Sequence, residues 1–104
     1  MQNNLQRAKG LISIANKAGY LIIGSDNLKN YNKKLYLIVK NKSGGKNLNK
    51  IAQQNMLTTN CEVITLDENN FDLVVNIPNC KIVGIKNKGI SDEIIKYIRS
   101  ENIG

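Results

Sequence analysis

The sequence predicts an α/β/α sandwich, a four-stranded, mostly parallel (mixed) sheet with helices on both faces. Three observations lead there. Short apolar runs recur at 20–23, 35–39, 61–65 and 81–86, each too short for a helix. Stretches with apolar residues at helical spacing alternate with them. The run Leu35-Tyr-Leu-Ile-Val39 is unbroken, as in a strand covered on both faces. With 104 residues the chain reads as one domain, 1–104, large enough for a single core.

Taken in order, residues 3–18 predict a helix, because Ala8, Leu11, Ile12 and Ala15 fall at i, i+3, i+4 and i+7. Gly19 stops it. Tyr20 to Ile23 predicts a fully buried strand, Gly24 breaks it, and Ser25 is a preferred N-cap for a short helix over 26–32. A strand that runs straight into a helix N-terminus presents unpaired N–H donors at the sheet's edge, where ligands of open α/β sheets tend to bind. The second strand follows at 35–39, then a polar loop at 41–46 containing Gly44-Gly45. Leu48, Ile51 and Ala52 mark the inner face of a third helix that ends before Thr58.

The third strand is placed at 61–65. Thr65 and Glu68 have capping-box spacing and open a helix that buries Phe71, Val74 and Val75. Pro78 prevents that helix from continuing. The fourth strand spans 81–86. Ser91 caps the last helix, with Asp92 and Glu93 in its first turn and Arg99 in its last, matching the helix dipole. Helices between consecutive strands imply largely parallel neighbours.

Charge is the most informative property of the composition. Fifteen Lys and Arg against eight Asp and Glu leave a net +7, which points to a polyanionic partner. Lys29, Lys33, Lys34, Lys40, Lys42, Lys46 and Lys50 lie between 29 and 50 with no acid among them. If the first two strands are neighbours, these lysines border one nucleic-acid surface; a solvated face with no partner is the plainer reading.

Other chemistries lack their parts. There is no His and no C-x-x-C, so Cys61 and Cys80 read as small apolar residues at strand starts and no metal site is expected. Gly44-Gly45-Lys46-Asn47 lacks the phosphate-loop spacing, and Asn47 stands where a hydroxyl would hold Mg²⁺. Asp67, Glu68 and Asp72 sit at a helix start, where caps and dipole partners belong. No catalytic residue and no cofactor is expected. The longest apolar run, 35–39, is far short of a membrane span of about 20 residues. Met-Gln-Asn-Asn is unlike a signal peptide, so a cytoplasmic monomer is expected.

The pattern Leu11-Ile-Ser-Ile-Ala-Asn-Lys-Ala-Gly19, then Leu21-Ile-Ile-Gly24-Ser, then Leu35-Tyr-Leu-Ile-Val39 resembles the ribosomal-protein family that binds kink-turn RNA. That family includes the archaeal "seven-Ae" and eukaryotic "thirty-e" large-subunit proteins and small YlxQ-like bacterial members. Ile82-Val-Gly-Ile-Lys-Asn-Lys-Gly89-Ile resembles the family's last strand and the entry to its last helix. The resemblance covers nearly the whole chain in element order. It implies a structured RNA as partner, ribosomal or regulatory, association with the ribosome, and a helix N-terminus entering the groove of a sharply bent RNA.

By position, Gly24 matches the glycine that admits the RNA backbone, and Ser25, Asp26 and Asn27 the polar residues that meet guanine edges and phosphates. Asn30 falls where the family has a contact lysine, beside Lys29. Ile77 and Pro78 match an apolar loop against an unstacked nucleotide. Asp26 departs from the Asn or Lys of the family, and the second helix reads about one turn short. Two alternatives stay open: a protein-interaction module of the same fold with incidental basic charge, and a small nucleotide-binding enzyme.

Overall fold

The computed structural model describes residues 4–100, so the predicted helix start at Asn3 lies outside the described residues. Elements follow in the order α1 (Asn4–Lys17), β1 (Leu21–Ile23), α2 (Ser25–Asn30), β2 (Leu37–Asn41), a 3₁₀ turn (Lys42–Gly44), α3 (Gly45–Thr59), β3 (Glu62–Leu66), α4 (Glu68–Val74), β4 (Ile82–Ile85) and α5 (Lys88–Ser100). Helices cover both faces of one mixed sheet. On one side α1, α4 and α5 bury Leu5, Ala8, Ile12, Phe71, Val74, Ile94 and Ile98 against Leu37, Val39, Val83 and Ile85. On the other, α2 and α3 bury Leu28, Leu48, Ile51 and Ala52 against Ile38 and Ile82.

Strand order is β1-β4-β2-β3. Only β2 and β3 pair in parallel; β4 runs antiparallel to both β1 and β2. The parallel share is therefore smaller than alternation alone implies, and β1 and β2 are not neighbours. The fifteen residues of α3 span about 22 Å, enough to carry the chain back along the sheet before β3. After α4 the chain instead re-enters the sheet at the end where β3 finished, and β4 runs the other way.

Several local readings need correction. β1 is an edge strand and only half-buried, not fully buried. Ser25 is the first helical residue rather than the cap, and Gly24 occupies the cap position without a side-chain bond. Thr65 stays in β3 while Asp67 caps α4, its Oδ1 accepting from the Asn70 amide at 2.8 Å. The α5 cap is Asn87, whose Oδ1 accepts from the Ile90 amide at 2.9 Å. The helix thus starts earlier, so Asp92 lies one turn in and Ser91 is buried within the helix's first turn with its hydroxyl unpaired. α3 begins at Gly45, inside the stretch predicted as loop, and continues to Thr59. Gly19 does close α1: the Tyr20 amide donates to Ala15 O at 2.8 Å and the Gly19 amide to Asn16 O at 3.2 Å, a Schellman pair.

No helix among the described residues is long and apolar enough to cross a membrane.

Candidate functional site

Because β4 runs opposite to the other strands, it begins at the end of the sheet where they finish, beside the carboxyl ends of β1 and β2. The Gly24 amide donates to Ile82 O at 3.0 Å, and the Asn41 amide to Lys81 O at 2.8 Å. Two helix entrances are thereby fixed to one strand end. Gly24 sits at φ 89° and ψ 158°, a region open essentially to glycine, and its carbonyl accepts the first helical bond of α2 from Leu28 N at 3.1 Å.

Between these entrances lies a cleft of about 460 Å³. Gly24, Ser25, Asp26 and Asn27 form one wall, Gly44, Asn47 and Leu48 the second, and Asn79 and Lys81 the rim. A hollow of about 550 Å³ adjoins it, sharing Asn79 and Lys81 and lined further by Asp72, Asn76, Ile77, Pro78 and Cys80. Pro78 is exposed; Ile77 is half-buried and also packs on the main core. One face of Ile77 thus joins the core and another lines the hollow.

Asn27 is preset by its own strand. Its Nδ2 donates to Ile23 O at 2.7 Å, occupying an outward carbonyl of the edge strand. Cys80 lies beneath the rim, its thiol donating to Ile82 O at 3.3 Å. Burial pushes that thiol's pKa up from 9.0, opposed in part by backbone hydrogen bonds with Ile82 and Gly24. Asn41 is buried, its Oδ1 held by Ser43 N at 2.9 Å and Ser43 Oγ at 2.8 Å, and its Nδ2 unpaired.

The predicted residues divide between places. Gly24, Ser25, Asp26 and Asn27 line the cleft, and Ile77 and Pro78 the adjoining hollow. Lys42 lies in the 3₁₀ turn and Lys46 in the first turn of α3, both exposed at this end. Lys40, near the end of β2, bonds Asn49 Oδ1 at 2.6 Å. Lys29 and Asn30 fall in the last turn of α2, where Asn30 borders a groove along β1. Lys33 and Lys34 precede β2 and so lie at the opposite end of the sheet; the Lys34 ammonium donates to the Thr59 carbonyl at the end of α3. The condition for one continuous lysine surface, that β1 and β2 be neighbours, is not met.

Asn47, Asn79, Cys80 and Lys81 were not anticipated in the site. Asn79 left a trace in the sequence: Asn next to Pro tolerates the left-handed turn that it adopts, at φ 58°. Charge at this end is balanced, with Lys40, Lys42, Lys46 and Lys81 against Asp26, Asp67, Glu68 and Asp72. Lys81 and Glu68 pair at 3.7 Å.

No protein-family model and no curated protein matches the sequence. Among solved structures, the fold is similar to a Bacillus halodurans protein of unknown function, with a TM-score of 0.69 and 15% identity over 88% of this chain and 96% of that one. It is also similar to the Giardia lamblia 15.5kD RNA binding protein, with a TM-score of 0.58 and 13% identity over 100% of this chain and 93% of that one. At such identities the likeness is one of fold.

Proposed function

We propose that this chain is a non-catalytic RNA-binding protein, acting as a monomer without a cofactor on structured, kink-turn-like RNA of the ribosome or of a regulatory transcript. The observation that carries the reading is the convergence of the Gly24 turn, the α3 entrance and the 76–81 loop on one cleft. Gly24 leaves room there for an RNA backbone, since an added Cβ would meet nothing within 4 Å. With Nδ2 held by Ile23 O, Asn27 offers its Oδ1 to base-edge donors. Ile77 and Pro78 give an unstacked base an apolar surface beside that edge. The fold likeness to a protein whose name is RNA binding supports the same reading.

One observation favours a second reading, a protein-interaction module: the cleft end carries as many acids as lysines. A filter-binding titration separates the two. A kink-turn hairpin should bind, and the same hairpin with its G·A pairs changed to Watson–Crick pairs should bind more weakly. Asn27→Ala should cost about 1–3 kcal/mol toward the bent RNA. Equal, weak binding of both hairpins, unaffected by Asn27→Ala, favours the protein module.

A further inference from the structure

The basic charge that the cleft lacks is gathered at the other end of the sheet. Segments 17–20, 31–36, 60–61 and 86–89 lead into β1, β2 and β3 and out of β4, and so meet there. They carry Lys17, Lys33, Lys34, Lys86 and Lys88 and no acid. The first acids beyond them, Glu62 and Asp92, are each taken by an ion pair, with Arg99 and Lys88, both at 2.8–2.9 Å. The five-residue length of β2 separates this end from the cleft by about 16 Å.

Aromatic rings are interleaved with these lysines. The Lys86 amide donates to Tyr20 O at 2.8 Å, and the Tyr36 amide to Ile85 O at 3.0 Å, which sets Tyr20, Lys86 and Tyr36 just beyond the ends of three adjacent strands. The Lys34 ammonium lies 5.4 Å from the centre of the Tyr36 ring. The large exposed apolar or aromatic side chains among the described residues, Ile14, Tyr20, Met56 and Leu57, also fall here, in the last turns of α1 and α3 and just before β1.

We infer that this end is a second binding surface, for single-stranded nucleic acid, with Lys17, Lys33 and Lys86 meeting phosphates and Tyr20 and Tyr36 stacking bases. Lysines are depleted from the cores of protein interfaces, whereas a basic face with accessible aromatic rings suits unpaired bases on a phosphate backbone. The surface stands independently of the cleft. Together the two give the chain a way to hold a bent RNA at one end and an unpaired strand at the other.

The test uses a fluorescein-labelled twelve-residue oligouridylate and anisotropy at several salt concentrations. Lys33→Glu combined with Lys86→Glu should weaken binding at least tenfold and flatten the salt slope by about 0.7 per lost contact. Tyr20→Ala should weaken it several-fold. If the double variant fails to fold, Lys17→Glu with Tyr20→Ala replaces it. The labelled strand should still bind when the cleft is saturated with kink-turn hairpin. Binding insensitive to these changes, absent altogether, or displaced by the hairpin overturns the inference. So does retention on phosphatidylserine vesicles with no affinity for the oligouridylate.

Discussion

The amide of Gly24 and the thiol of Cys80 donate to the same acceptor, the carbonyl of Ile82, at 3.0 and 3.3 Å. One oxygen at the head of β4 therefore joins the turn that lines the cleft to the loop that forms its rim. Removing one donor releases the loop from that shared point. Cys80→Ala is expected to speed hydrogen exchange at the Gly24 amide, and Cys80→Ser, which keeps a donor, to restore its protection. Equal exchange in both variants would show the shared bond to be of no consequence.

The same thiol gives an alkaline limit. Its folded pKa lies above the ordinary 9.0, because burial penalises the thiolate. A raised folded value means stability complete below 9.0 and lost as pH climbs from there through the folded value. Melting temperature should fall above pH 9, and less steeply in Cys80→Ala than in the parent.

Gly24 tests conformation apart from bulk. Its added Cβ would touch nothing, yet φ of 89° disfavours every other residue. Gly24→Ala should therefore cost about 1–3 kcal/mol in denaturant unfolding, through backbone strain alone. An unchanged midpoint would mean that the turn relaxes freely.

Gly84 is the reverse case. It lies in β4 beneath α2, and a Cβ there would come within 2.7 Å of Leu28 Cδ2 and 3.3 Å of both Leu35 methyl carbons. Gly84→Ala should destabilise by about 1–3 kcal/mol and displace α2, so that amide shifts reach Gly24 and Asn27. Shifts confined to β4 would show that Leu28 gives way instead.

Lys34 and Lys46 resemble each other in sequence but not in placement. Lys34 holds the last carbonyl turn of α3, a favourable place for a cation, so Lys34→Gln should lower stability by about 0.5–2 kcal/mol and leave hairpin binding intact. Lys42→Gln with Lys46→Gln should do the opposite, keeping the melting temperature and flattening the salt slope by up to about 0.9 per contact. Hairpin affinity lost on Lys34→Gln at unchanged stability would contradict this division.

The elements were legible because burial on a sheet or helix face imposes a period on the sequence: Ile12 and Ala15, Leu37 to Val39, and Ile94 and Ile98 are all core residues. The Gly24 to Asn27 turn was legible for the same reason, as the point where one period gives way to another. Sheet order was not, since the apolar pattern marks where strands lie and not at which end of the sheet the chain re-enters after α4. Caps were misplaced where several capable side chains lie close together: Thr65 and Asp67 compete for α4, and Asn87 and Ser91 for α5. Seven lysines close in sequence spread along the sheet because β2 runs from one end to the other in the middle of them.

The position of β4 between β1 and β2 also bears on synthesis. Among the strands, β1 pairs only with β4, some sixty residues later. As the chain leaves the ribosome from its amino end, α3 and the β2–β3 pair can form while Leu21 to Ile23 still lack a partner. A nascent chain cut short before Ile82 carries Gly24 without the carbonyl that its amide binds. Only a chain that has reached Ile82 carries the oxygen to which both the Gly24 turn and the Cys80 loop are tied.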